Sequence, residues 1–139
     1  MRFWDSSAVV PLVVRQAATG RIRSLYRKDP GLVVWWGTPV ECESALMRLQ
    51  REGLLPQASA MRARDRLAAL EQSWAEIEAS ARLREVARRF LRVHPLGAAD
   101  ALQLAAAFLA SEERPPSLAV VCLDARLEGA LRAEGFPLV

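Results

Sequence analysis

"LVVWWGTPVE", residues 32–41, sets five consecutive apolar residues directly against a Gly-Thr-Pro-Val-Glu segment. An unbroken run of this kind suits a strand covered on both faces, as in a parallel sheet, better than an alternating, half-wet strand. The second half of the stretch reads as the start of a helix. Thr38 can serve as N-cap, Pro39 occupies the first helical position where its missing N–H costs nothing, and Glu41 stands three residues after the cap to complete a capping box. Gly53 closes that helix after "SALMRLQRE", residues 44–52. A buried strand leading straight into a helix is half of a β-α-β unit, so the fold depends on whether the pattern recurs.

It recurs on both sides. Upstream, Arg2–Trp4 reads as a short strand that stops at Asp5, and Ser6 or Ser7 can cap a helix through Ala8–Ala18 with Pro11 in its first turn. Downstream, Pro56–Leu70 and Ser73–Val93 are rich in Ala, Leu, Glu and Arg with apolar residues at helical spacing, and they read as two further helices. "HPLGAAD", residues 94–100, breaks that run and opens a helix through Ala98–Ser111. "PPS" punctuates before a strand Leu118–Leu123, Asp124 ends it, and a short helix Ala125–Glu134, a Gly135 stop and a strand-like "FPLV" close the chain. The alternation predicts an α/β fold in a single domain over residues 1–139: three layers, with a mainly parallel central sheet, helices on both faces and a helical arm in the middle third.

Composition agrees and narrows the function. With 52% hydrophobic and 25% charged residues, the chain can build a core and is not a disordered segment. The longest apolar runs, Ala8–Val14 and Leu104–Ala110, fall well short of the roughly 20 residues that cross a bilayer. Asp5 interrupts the N-terminus too early for a secretory signal, so no membrane association and a cytoplasmic location are expected. Cys42 and Cys122 lie in apolar or helical surroundings and read as small buried side chains rather than a disulfide. Scattered glycines argue against a phosphate-cradling loop, and a lone His94 before Pro95 offers no hydrolase triad. Trp4, Trp35 and Trp36 read as core, leaving Trp74 free to stack on a ligand.

The net charge is +3, and of the 19 lysine and arginine residues Lys28 is the only lysine. Arg62, Arg66, Arg88 and Arg92, all in the middle third, are candidates to grip an RNA backbone; a solvated helix face with pairs such as Glu78-Arg82 accounts for the same residues. The acids are more telling. Asp5 and Asp124 each fall at the carboxyl end of a predicted strand, where open sheets bind ligands in the crevice at which strand order reverses. Glu41 and Asp100 fall in the first turns of helices that start at that edge. Singly, each has a plainer reading: a turn or cap for Asp5 and Asp124, a capping box for Glu41, a dipole-favoured first-turn acid for Asp100. Together, acids in one crevice repel, and a divalent cation relieves the repulsion. An all-oxygen donor set selects Mg²⁺ or Mn²⁺, which activates water and polarises a phosphoryl oxygen.

"FWDSSAVV" (3–10), "VECESAL" (40–46), "LGAADALQLAAA" (96–107) and "CLDARLEGALRAEGF" (122–136), in that order, resemble the PIN-domain ribonucleases, and among them the VapC-like toxins. The resemblance implies a PIN-like fold and a Mg²⁺-dependent endoribonuclease. It implies that Asp5, Glu41, Asp100 and Asp124 are the metal-binding, catalytic acids, with Ser7 as a polar partner of the first. It further implies a homodimer held inactive by a small antitoxin. Two positions depart or double: Leu123 stands where many relatives have Thr or Ser before the last Asp, and Glu43 is the reserve for Glu41. The alternative is a catalytically silent PIN-like module that binds RNA or protein.

Overall fold

The computed structural model describes residues 1–139. Its sheet has four strands, β1 (Arg2–Trp4), β2 (Leu32–Trp35), β3 (Ala75–Ile77) and β4 (Val120–Val121), all parallel, in the order β3-β2-β1-β4. Parallel pairing brings Phe3 beside both Val33 and Val120, which places β1 in the interior. The chain moves from β1 outward through β2 to β3, then returns to the other side of β1 as β4. Strand order therefore reverses between β1 and β4, and the crevice beyond their carboxyl ends is the one that open sheets use for ligands.

Both faces are covered, as the unbroken apolar strands require. Helices α1 (Ser6–Val13), α2 (Thr19–Lys28), α3 (Thr38–Arg51) and α4 (Gln57–Glu71) pack on the face carrying Trp4, Leu32 and Val34. Helices α5 (Ala81–Val93), α6 (Ala98–Ala110) and α7 (Ala125–Ala133) cover the face carrying Phe3, Val33 and Trp35. No single helix is long and apolar enough to cross a membrane. Layers, parallel sheet and helices on both faces are as the sequence predicts.

Several local expectations are corrected. The helix expected over Ala8–Ala18 ends at Val13, and a second helix, α2, comes next that the periodicity did not reveal. Pro11 lies inside α1 rather than in its first turn; without an N–H it weakens the ladder, and the helix stops two residues later. Ser73–Val93 is not one helix: Ala75–Ile77 is drawn out as edge strand β3 by pairing with Val33, Val34 and Trp35, and Ser80 then caps α5 through Leu83 N–H. Pairing with an existing sheet outweighed helix propensity. Strand β4 is only two residues long, and of "FPLV" only a bridge between Leu138 and Val120 forms. Trp36 is 53% exposed rather than buried, whereas Trp74 packs against the core and donates its indole N–H to Glu76 Oε1 at 3.0 Å.

Candidate functional site

At the carboxyl edge of β1 and β4, a cavity of about 430 Å³ is lined by Asp5, Glu41, Asp100 and Asp124, with Ser6, Ser7 and Arg48 also on its wall. Four acids spread over 120 residues of chain are thus collected by the fold. Each arrives from a different element. Asp5 directly follows β1 and is the N-cap of α1, Glu41 lies in the first turn of α3, Asp100 in the first turn of α6, and Asp124 is the N-cap of α7. Glu43, the reserve for Glu41, lies outside the cavity and pairs with Arg64 at 2.7 Å.

The anchoring obeys one rule. Asp5 Oδ2 accepts from Ser7 N–H at 3.0 Å, from the Ser7 hydroxyl, and from the Cys122 thiol at 3.7 Å. Glu41 Oε2 accepts from the Ser6 hydroxyl at 2.8 Å and from the Gln103 amide at 3.2 Å. Asp124 Oδ1 accepts from Arg126 N–H at 3.0 Å and Leu127 N–H at 2.9 Å. In all three, one oxygen carries every hydrogen bond and the other carries none from the protein. Asp100 makes no side-chain hydrogen bond at all. These bonds also replace two of the plainer readings. Thr38 does not cap α3, because Gly37 stands at that position without a side-chain bond and Thr38 Oγ1 instead accepts from Gln103 Nε2 at 3.2 Å. Glu41 is therefore no capping-box acid. Asp5 and Asp124 are caps, as expected, but each cap spends a single oxygen.

Ser7 ties the two strand ends together. Its hydroxyl donates to Asp5 and accepts Leu123 N–H at 2.9 Å, so Leu123 is held through its backbone. Buried Cys122 links two of the acids: its sulfur accepts Asp124 N–H at 3.4 Å, and its thiol, pushed up by burial, donates to Asp5. Electrostatics show the strain of the grouping. Burial raises the Asp5 carboxyl above its ordinary value, Asp100's charge adds to this, and the Ser7 bonds oppose it. Burial likewise raises Glu41, with Asp5 and Asp100 adding. Asp100 is raised by burial and by Asp124, against the pull of Arg126.

In kind, these free carboxylate oxygens suit a hard, oxygen-seeking divalent cation. In geometry, no three Asp, Glu, His or Cys side chains converge at direct-ligand distance of one point. An ion in this cavity would therefore have to keep part of its water shell.

Of the arginines expected on a nucleic-acid backbone, none lines this cavity. Arg66 donates to Val13 O at 3.1 Å, closing the carboxyl end of α1, and Arg62 donates to Ser59 Oγ at 3.1 Å. Arg88 and Arg92 are exposed along α5. The basic groups near the acids are Arg48, on the cavity wall, and Arg126, close enough to Asp100 to lower it. Sequence reading missed both; the signal was Arg48 lying seven residues, about two helical turns, beyond Glu41, on the same face of α3. His94 is structural, bonded through Nε2 to Glu134 Oε1 at 2.6 Å and packed on Phe90.

No protein-family profile and no curated protein matches the chain. Among solved structures, FitAcB from Neisseria gonorrhoeae superposes with a TM-score of 0.67 at 14% identity, over 99% of this chain and 96% of that one. The fold is PIN-like. FitAB bound to the IR36 DNA fragment superposes with a TM-score of 0.69 at 13% identity, over 100% and 94% of the two chains. Near-complete coverage in both directions means that this PIN-like chain has the whole architecture of those neighbours, with neither a large insertion nor a missing layer.

Proposed function

We propose that the acidic cavity is the catalytic centre of a Mg²⁺- or Mn²⁺-dependent endoribonuclease, a VapC-like toxin of a toxin–antitoxin pair working in the cytoplasm. The supporting observation is the split use of each carboxylate: three acids from three elements are fixed through one oxygen, and the other oxygen is left without a protein partner on the same cavity. A purely structural cap gains nothing from three neighbours of like charge. Asp5, Glu41, Asp100 and Asp124 would hold the cation. When bound, it supplies a water acidic enough to attack a phosphodiester and a positive charge for the phosphoryl oxygens. The protein's own groups do the remainder. Ser7 and Cys122 hold Asp5, Ser6 and Gln103 hold Glu41, and Arg48 and Arg126 would offer guanidinium groups to the RNA backbone. Arg88 and Arg92 would engage more distant phosphates. The acidic mouth also suits a basic antitoxin segment, and a homodimer is the expected assembly.

Incubating the protein with total RNA and Mg²⁺, with and without chelator, tests this reading. Asp5→Asn and Asp100→Asn should each lower cleavage by at least about a hundredfold. Cutting at the parent's rate by both variants refutes the assignment. A second reading, the catalytically silent module, draws on two observations: no three side chains meet at ligand distance, and Leu123 brings no hydroxyl to Asp124. It predicts RNA binding without cleavage and no heat on titration with Mn²⁺.

A further inference from the structure

We infer that Gln103 is a positioning residue for Glu41: from α6 it reaches across to α3 and holds one carboxylate oxygen so that the other is presented to the cavity. The inference rests on the reading of the cavity as a metal-holding site and deepens it. Gln103 is 1% exposed within the apolar run "DALQLAAA", where its neighbours Ala101, Leu104 and Ala105 belong to the core. Its Nε2 donates to Thr38 Oγ1 and to Glu41 Oε2, both at 3.2 Å, so both amide hydrogens are used. Its Oε1 is buried with no partner at all.

That orphan oxygen decides the role. A buried acceptor left unmet is a cost, and a leucine or methionine of similar size would fill the same space without it. The amide is therefore not explained by packing. What it supplies and an apolar side chain cannot is the donor aimed at Glu41. The Ser6 hydroxyl meets the same oxygen at 2.8 Å from α1, so Glu41 Oε2 is gripped from two elements while Oε1 stays without a hydrogen bond. Gln103 also lies three residues after Asp100, hence on the same face of α6. One rigid helix thus supplies Asp100 itself and the hold on Glu41, which fixes the spacing of the two acids.

Two readouts separate this from a structural role: melting of the metal-free protein, and Mn²⁺ affinity from the electron paramagnetic resonance of the free ion. The variants are Q103L and the pair T38V/Q103M, the second removing both buried polar partners together so that no new group is stranded. Mn²⁺ should bind about tenfold more weakly, or worse, in both variants, and the pair should melt no lower than the parent. S6A should weaken Mn²⁺ binding in the same direction. If the parent and D100N differ in Mn²⁺ affinity while Q103L and T38V/Q103M match the parent, the inference is overturned and the metal site stands. Lower melting with unchanged affinity overturns it as well, in favour of packing. No Mn²⁺ binding by the parent removes the metal site and this inference with it.

Discussion

Asp5→Asn should make the metal-free protein more stable, although it removes the acid at the centre of the site. Asp5 is 3% exposed, and ionising it there costs several kcal/mol of lost hydration. Hydrogen bonds from Ser7 and Cys122 return part of this, about 1.5–3 kcal/mol for an ionised acceptor. Asparagine keeps an acceptor for Ser7 and caps a helix as well as aspartate does. The net gain is on the order of 1–2 kcal/mol. At about 2.1 cal/mol/K per residue over 139 residues, the unfolding entropy turns this into roughly 3–7 °C.

The pH dependence has a definite sign. Burial, with Asp100's charge adding, raises the folded-state value of Asp5 above 3.8, so the folded chain binds that proton more tightly than the unfolded chain. Ionisation then weighs against the fold increasingly as pH climbs from 3.8 through the folded-state value, and fully above it. The advantage of the variant should vanish near pH 4 and grow as pH rises. Differential scanning fluorimetry in chelator from pH 4 to 8 measures it. Melting at or below the parent at pH 7.5, or a gap that does not change with pH, refutes the reasoning. Adding Mg²⁺ at about a hundred times its dissociation constant should raise the parent by about 2.7 kcal/mol, and the variant by much less.

Ser7→Ala should strand the Leu123 N–H and release Asp5, costing about 1–3 kcal/mol in chemical denaturation. Gly37→Ala places a methyl carbon 2.4 Å from Nε1 of the core residue Trp35, and should lower the urea midpoint by the equivalent of about 1–3 kcal/mol. Arg66→Ala should cost about 1 kcal/mol by freeing the end of α1. Arg48→Ala, on the cavity wall, should leave melting unchanged and reduce the salt slope of RNA binding by about 0.7.

The features legible in the residues alone are those that rest on short-range pattern. "LVVWW" suits a strand covered on both sides, as Leu32–Trp35 proves to be, and the strand-then-helix punctuation after Trp4, Trp36 and Leu123 placed Asp5, Glu41 and Asp124 at the edges of elements. Strand polarity then put those edges on one side of the sheet, because parallel strands share a carboxyl end. Residues 73–80 read as helix because their propensity is helical, and only pairing with β2 makes a strand of Ala75–Ile77. Trp36 reads as core because exposure just past the end of a strand depends on what packs beyond it.

Layers, parallel sheet and the acids at its edge follow from periodicity and caps, which act over a few residues. How those acids are held does not. Ser6 on Glu41, Ser7 on Leu123, and Gln103 between Thr38 and Glu41 are contacts across 35 to 116 positions of chain. Hydrogen bonds of about 3 Å between such distant residues exist only once the strands have paired and both faces of the sheet are buried.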